Sequence, residues 1–515
     1  MNWASGRKER IYLLWTVCAT LWIALSVILP DFLDNPITGI KGIITISVYV
    51  TAVSVVSFLV FYIIGINKYV AAVCVPLYGL IGSAVSYYRV MFRVTITPLM
   101  VDCILHTNTE EAMGVVTWQL ILWMALNLLI ALRLVIWRWK QEILSYPWLR
   151  VTICIILLFL YPHVNGRLYL SLNQRYPMHI VESVCQYINL QQIRKSPRTV
   201  PEYIVSNEPI DSLDIIVVIG ESLRPDHLQL NGYKRETNPM LSKRNNIVSL
   251  PNVRSQYTHT AVSVPVLMTR ADSIHPEYQY CETSFITILR QQGYHTAWIS
   301  NQDLGESYAF APMECDTAIF VNAGKSTYVF SGWYDEELWK PLNEQLALNY
   351  AHNLLVLHTI GSHWYYNNHV PEEHYHFQPI TDNRVVTYNT QEQVINSYDN
   401  TARYMDYVLD SIIRCVEHKC AVVIYLSDHG ESLGENGNFL HASGEYEQTL
   451  CACVVWYSTQ FERLFPQKAE ALRKNTTHHY YTDFLFHTVL SAANISMIEE
   501  IEPKESLFDG TKCCR

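Results

Sequence analysis

The residues best suited to chemistry stand at the ends of two apolar runs. Ala421 to Gly430, AVVIYLSDHG, passes through Val422, Val423, Ile424, Tyr425 and Leu426 and ends in Asp428 and His429. Leu213 to Glu221, LDIIVVIGE, has the same design and leads into Gly220, Glu221 and Ser222. Uninterrupted β-rich runs predict strands buried on both faces, and ligands of open α/β sheets gather at the carboxyl ends of such strands. Alone, Gly-Glu-Ser is an ordinary turn and Asp-His-Gly an ordinary cap. Together they bring Glu221, Asp428 and His429 towards one point, and a mixed oxygen and nitrogen donor set suits Zn2+ better than Mn2+ or Mg2+. The stretch Asp428 to His441, DHGESLGENGNFLH, adds two Glu and a second His in a Gly-rich loop, as a second metal or a phosphate would need; its bland alternative is a solvated acidic loop.

A metal at that point needs a group to activate. Between the two runs lies Tyr257 to Thr269, YTHTAVSVPVLMT, hydroxyls beside small residues that would open a helix. Helix N-termini offer free N–H groups and a dipole that favours phosphate. A Thr or Ser hydroxyl there, deprotonated beside Zn2+, is a strong nucleophile for phosphorus. By chemistry alone Thr258, Thr260 and Ser263 are equal candidates, and all three could instead be N-caps.

These residues need a scaffold. From Ser212 to about Ile501 strand-like and helical runs alternate: IIVVIGE, a helix around Ser284 to Gln291, HTAWIS, NLLVLHT, a helix around Asn400 to Val416, AVVIYLSD, CACVVWYS, and a closing helix near Asp483 to Ala493. That order predicts an α/β domain with a largely parallel sheet covered on both faces.

The first third of the chain is different. Of 515 residues, half are hydrophobic and 16% charged, but the apolar ones crowd the N-terminal side. Ile11 to Leu29 contains no charge, follows Arg7, Lys8 and Arg10, and stops at Pro30. That is enough to cross about 30 Å of hydrocarbon, and without a cleavage site it reads as an anchor. Further spans are expected at about Gly42 to Ile66, Tyr69 to Tyr88, Val115 to Ile136 and Val151 to Val164, five in all. With the N-terminus inside, the inner connections hold more Lys and Arg than the outer ones, which exports the C-terminal domain. The connection from Arg89 to Gly114 contains LMVDCILHTNTEEAMG, with the spacing of a helix lying at the outer interface; His106, Thr107, Asn108, Thr109 and Glu110 fall where lipid headgroups would be. A helix around His179 to Arg194 and a polar, Pro-containing stretch then bridge to the α/β part. The organisation expected is residues 1–165 as a transmembrane domain with an interfacial helix near 98–114, residues 166–211 as bridging helix and linker, and residues 212–515 as the exported catalytic domain.

Charge follows the same division. The first 165 residues hold eleven Lys/Arg against seven Asp/Glu, leaving 26 against 40 in the remainder. An acidic exported domain argues against nucleic acid as a partner. Thirteen cysteines leave at least one without an intrachain partner. Cys415 and Cys420 are spaced for a local disulfide if their compartment is oxidising, whereas Cys451 and Cys453 sit in an apolar run and read as buried.

Taken together, the motifs resemble those of the phosphoethanolamine transferases of the Gram-negative envelope, inner-membrane enzymes of the alkaline-phosphatase-like and sulfatase-like superfamily. The resemblance covers nearly the whole chain: the five spans, HTNTEEA, GES, THTAVSVP, GYHTAWISNQ, YDEEL, HTIGSH, SDHGESLGENGNFLH and EYEQ. It implies that the nucleophile is Thr260 and that the first zinc is held by Glu221, Thr260, Asp428 and His429. It also implies that His363 and His441 bind the transferred group or a second zinc. The implied donor is phosphatidylethanolamine, and the implied acceptor an envelope glycolipid or glycan (lipid A, core sugar or periplasmic glucan). The implied location is the inner membrane, with catalysis in the periplasm and a phospho-threonine intermediate.

The chain departs from the family pattern at two places. Trp364 and Tyr365 follow His363 where Gly-Pro is usual, and the Cys and Lys residues of the better-known lipid A modifiers are absent around Thr260 and in NQDLGES. These differences leave core sugars and glucan beside lipid A as acceptors. Alternative readings are a glycerol-phosphate transferase, phosphatase or sulfatase on the same plan, or a non-catalytic envelope protein. A sulfatase would want a Cys or Ser in a formylglycine-type motif, and a non-catalytic protein leaves the intact nucleophile and ligands unexplained.

Overall fold

The structure, a computed structural model, describes residues 3–30, 39–92, 96, 100–101, 104–105, 109–141, 152, 175–194, 197–206, 210–302, 307–321, 332–498 and 506–509. The chain forms two compact units, residues 1–104 with 116–189 and residues 105–115 with 190–515.

The first unit is helical: α1 (Trp3–Ile23), α2 (Gly39–Ile64) and α3 (Lys68–Phe92), then, after an excursion into the second unit, α5 (Trp118–Trp139) and most of α6 (Met178–Arg194), whose residues from 190 on belong to the second unit. Four helices among the described residues are long and apolar enough to cross a membrane: Arg7–Ile28, Ile46–Ile64, Lys68–Met91 and Trp118–Trp139. The expected fifth span, Val151 to Val164, lies outside the described residues. Leu and Ile side chains on the outer faces are widely exposed, as on helices that meet lipid, while large aromatics fill the interior. Those aromatics also satisfy their polar atoms inside the bundle. The Trp15 indole donates to the Leu134 carbonyl at 2.9 Å and the Trp22 indole to Asn127 Oδ1 at 2.8 Å. In hydrocarbon an unmet N–H would cost several kcal/mol.

In the second unit the expected α/β alternation is present. Its strands are β1 (Leu213–Gly220), β2 (Ile247–Leu250), β3 (His295–Ser300), β4 (Thr317–Phe320), β5 (His352–His358), β6 (Ala421–Ser427) and β7 (Cys453–Tyr457). They form one seven-stranded sheet in the order β2-β7-β6-β1-β5-β3-β4. The sheet is mixed rather than parallel throughout. β6, β1, β5, β3 and β4 run parallel, but β7 is antiparallel to β6 and β2 antiparallel to β7. The CACVVWYS run is buried like its neighbours, and burial alone carries no information on direction. The two outermost strands, β2 and β4, are short and half-buried, so neither has the long apolar signature of a central strand.

Helices on this sheet include α7 (Thr260–Met268), α8 (Phe285–Gln291), α9 (Trp339–Leu346), α10 (Gln391–Val416) and α11 (Phe484–Ala492). α10 starts at Gln391, not at about Asn400. Thr390 and Gln393 close a capping box, and the polar first turns find protein partners rather than water: Asn396 donates to the Pro379 carbonyl, and Asp399 accepts from Tyr233 and Arg235. Nine cysteines fall among the described residues and none is bonded, Cys415 and Cys420 included. The short helix α4 (Thr109–Val115) comes from the chain between α3 and α5, yet its contacts group it with the α/β unit.

Candidate active site

The site lies where central strands of the sheet end. β1 and β6 are adjacent and parallel with Gly220 opposite Ser427, so the residues that follow, Glu221 and Asp428, emerge side by side. The turn after β1 is strained: Ser222 has φ of 58°, an unusual value for a residue with a side chain. Three hydrogen bonds hold it. The Ser222 N–H donates to Asp428 Oδ1 at 3.3 Å, its hydroxyl to Glu221 Oε1 at 2.7 Å, and its carbonyl accepts from the Tyr398 hydroxyl at 2.7 Å. Outliers fixed by this many partners are typical of functional sites.

α7 brings the hydroxyl. Its N-cap is His259, whose Nδ1 accepts from the Ala261 N–H at 3.1 Å, leaving Thr260 as the first helical residue. Thr260 Oγ1 donates to Glu221 Oε2 at 2.9 Å and lies 3.3 Å from His429 Nε2. Of the three hydroxyls that chemistry left open, Thr260 alone is placed so: Ser263 faces Ser255 and the Tyr257 carbonyl in the interior.

Glu221, Asp428 and His429 are fully buried. His429 Nε2 lies 3.3 Å from Glu221 Oε1 and 3.6 Å from Asp428 Oδ2, and its Nδ1–H donates to the Gly430 carbonyl at 2.8 Å, which turns Nε2 towards the carboxylates. His441 joins them. Donor atoms of Glu221, His429 and His441 all lie within 4.8 Å of one another, and the His429 and His441 rings are 4.7 Å apart. His441 Nδ1 is set by Glu431 Oε2 at 3.2 Å. The His363 ring is 6.0 Å from that of His441 and 6.1 Å from that of His369, so His363 stands at the rim of the cluster.

The electrostatics call for a cation. Burial pushes the Asp428 carboxyl up to about 7, helped by the neighbouring charge of Glu221. Burial alone would lower the His429 imidazole, but the Asp428 and Glu221 charges outweigh it and raise it to about 10. Glu221 is likewise burdened by burial, yet His429, with His363 and His441 beyond, holds it well below the ordinary carboxylate range. Asp428 Oδ2 is buried without a hydrogen-bond partner. Two buried carboxylates, an orphaned oxygen and an imidazole pulled into the charged form fit a divalent metal, and the N/O donor set fits Zn2+.

The sequence reading overlooked Gln302. Its amide donates to Glu221 Oε2 at 3.0 Å and to the Thr359 carbonyl at 2.8 Å, bracing Glu221 from β3 and β5. The rule that singled out Glu221 and Asp428 would have found it, because Gln302 also follows a strand of the parallel set. Of the expected headgroup contacts, His106, Thr107 and Asn108 lie outside the described residues, and Thr109 and Glu110 form the first turn of α4.

Fold and site together fit the alkaline-phosphatase and sulfatase class: a threonine hydroxyl at a helix N-terminus faces carboxylate and imidazole donors that could hold a metal at the strand ends. Residues 214–495 match the sulfatase family model, and residues 50–179 match the model described as phosphoethanolamine transferase EptA/EptB. The chain is 29% identical over 473 residues to the phosphoethanolamine transferase EptA of Escherichia coli K12, covering 85% of each. It is similar throughout to the integral membrane lipooligosaccharide phosphoethanolamine transferase A of Neisseria meningitidis, with 25% identity and a TM-score of 0.76 over 94% of this chain and 96% of that one. The zinc complex of the periplasmic domain of Escherichia coli EptC, 22% identical with a TM-score of 0.54 over 62% of this chain and 92% of that one, shares the fold. The chain belongs to the phosphoethanolamine transferase family of the alkaline-phosphatase and sulfatase superfamily.

Proposed function

We propose that this chain is a zinc-dependent transferase that moves phosphoethanolamine from phosphatidylethanolamine to an envelope glycolipid or glycan through a phospho-threonine at Thr260. The observation that carries the reading is Thr260 Oγ1 at a helix N-terminus, 2.9 Å from Glu221 and 3.3 Å from His429. Thr260 Oγ bonds to phosphorus as the bond to the diacylglycerol oxygen breaks. The acceptor oxygen then attacks the same phosphorus from the opposite side and releases Thr260, so each transfer inverts. Glu221, Thr260, Asp428 and His429 would hold the first Zn2+, with His441 within reach of the same point and a second ion between His363 and His441 as the alternative count. Bound zinc would lower the pKa of the Thr260 hydroxyl and offset the charge that gathers on the phosphoryl oxygens. The α7 N-terminus adds its dipole to that effect. His363 and His441 steer the phosphoryl oxygens or help protonate the departing diacylglycerol oxygen, which takes up the proton that Thr260 gives up.

The donor is a lipid, so the membrane-spanning part does more than anchor. In this reading residues 1–165 sit in the inner membrane, residues 166–211 bridge, and residues 212–515 work in the periplasm. His106, Thr107, Asn108, Thr109 and Glu110 then meet the headgroup. The similarity to a lipooligosaccharide enzyme supports a glycolipid acceptor.

The test is mass spectrometry of lipid A, core oligosaccharide and glucan from Gram-negative cells expressing wild type or Thr260→Ala. One fraction should gain phosphoethanolamine with the wild type only, and the peptide containing Thr260 should carry the same adduct when acceptor is withheld. Transfer retained by a folded Thr260→Ala would remove the covalent mechanism.

A further inference from the structure

His363 is followed by Trp364, and this tryptophan connects two parts of the α/β unit. Its carbonyl accepts a hydrogen bond from His363 Nδ1 at 2.6 Å, which directs the other ring nitrogen away from that carbonyl. Trp364 is 3% exposed, and its indole lies against α4 at Gly114. A Cβ at Gly114 would come 2.5 Å from Trp364 Nε1 and 2.7 Å from its Cδ1, closer than real side chains approach, and would touch the Arg384 carbonyl at 3.4 Å. The tryptophan packs, in effect, on bare helix backbone.

The indole has nowhere to retreat. Nε1 donates to the Arg384 carbonyl at 3.0 Å, and its ring meets Tyr366 edge-on at 5.0 Å. Tyr366 is fully buried and stands edge-on to Tyr398 at 5.4 Å. Tyr398 in turn holds the Ser222 carbonyl beside Glu221. Close-packed aromatics transmit displacement rather than absorb it.

We propose that Trp364 is a positioning residue for His363, keyed to α4 through the missing side chain at Gly114. One residue thereby sets the imidazole at the rim of the site and fixes the helix whose first turn carries Thr109 and Glu110. The inference deepens the transferase reading and rests on it.

The test is a double-mutant cycle on the full-length enzyme in detergent, reading diacylglycerol release from phosphatidylethanolamine in mixed micelles. Gly114→Ala should lower kcat/KM by about tenfold or more, the scale of a misplaced catalytic contact. In a His363→Ala background the same substitution should cost less than about twofold, because the group it acts through is gone. Gly114→Ala/Trp364→Leu, which clears the space, should recover part of the loss. Equal losses from Gly114→Ala in both backgrounds overturn the proposal, as does a full-rate Gly114→Ala. If Gly114→Ala fails to fold, rescue by Trp364→Leu supports the contact and absence of rescue overturns it. Should the wild type release no diacylglycerol, the transferase reading fails first. Melting midpoints of the Gly114→Ala and Trp364→Leu single and double variants then decide the contact alone, non-additive values supporting it and additive values overturning it.

Discussion

Asp335 touches none of the proposed ligands, yet its loss should disable the site. It is 5% exposed and accepts three hydrogen bonds, from the Ile360 N–H at 2.8 Å, the Gly361 N–H at 2.9 Å and Asn301 Nδ2 at 3.0 Å. The Ile360-Gly361 turn it holds is the one that presses on Glu221: the Ser362 N–H donates to the Glu221 carbonyl at 3.0 Å, and a Cβ on Gly361, whose φ is 50°, would sit 3.0 Å from the Glu221 nitrogen. Asp335→Ala leaves two backbone N–H groups and one amide unmet in the interior, at about 1–3 kcal/mol each. Burial already pushes the Asp335 carboxyl up, so part of that cost is offset by removing a poorly solvated acid. The expected loss is therefore about 3–5 kcal/mol for Asp335→Ala and about 1–3 kcal/mol for Asp335→Asn, which keeps the shape and one acceptor. Urea titration of the enzyme in detergent, followed by tryptophan fluorescence, measures the stability difference, and kcat of the protein that remains folded measures the effect on Glu221. Both variants within about 0.5 kcal/mol of wild type, the range typical of an ordinary surface position, would refute the reasoning.

Two further outcomes follow from the same geometry. Chelation should abolish transfer and lower the melting midpoint together, because the fully buried Asp428 and Glu221 lose their counter-charge; Zn2+ should restore both, and activity that survives complete metal removal, verified by elemental analysis, sinks the zinc assignment. The pH dependence of folding has a definite sign. Burial depresses the His358 imidazole to about 4 and that of His369 to about 3, in the latter case with help from His363. Below the unfolded value near 6.5 the unfolded chain binds protons that the native one refuses, so the stabilisation is complete above that pH and lost as pH falls towards 4. His358→Phe, which keeps a ring against Trp298 and Tyr308, should make the fall in melting midpoint shallower by removing one of the two groups; an unchanged slope contradicts the assignment.

The elements that were readable in the sequence are those whose periodicity and burial agree. The β1, β5 and β6 strands carry continuous apolar runs, and β3 is buried along with them, because both faces of a parallel sheet are covered, and a residue directly after such a strand is already at the mouth of the site. That argument reached Glu221, Asp428 and His429 without any tertiary information. The resemblance then singled out Thr260 from three hydroxyls of equal chemistry, and the structure gives the physical difference: Ser263 is turned inward one helical turn later.

What the sequence determined, then, is the set of strands, the spans with their charge asymmetry, and the donors that follow the strands, since each of these is written in contiguous residues. Tertiary structure decided the rest. The direction of β7 depends on which neighbour offers free N–H and C=O groups, and both directions bury CVVWY equally well. The Asp335 contacts and the Trp364 contact with Gly114 act across gaps in the chain that no local pattern spans. Each exists because packing brings a polar or aromatic side chain against a backbone that, in sequence, is an ordinary turn or helix.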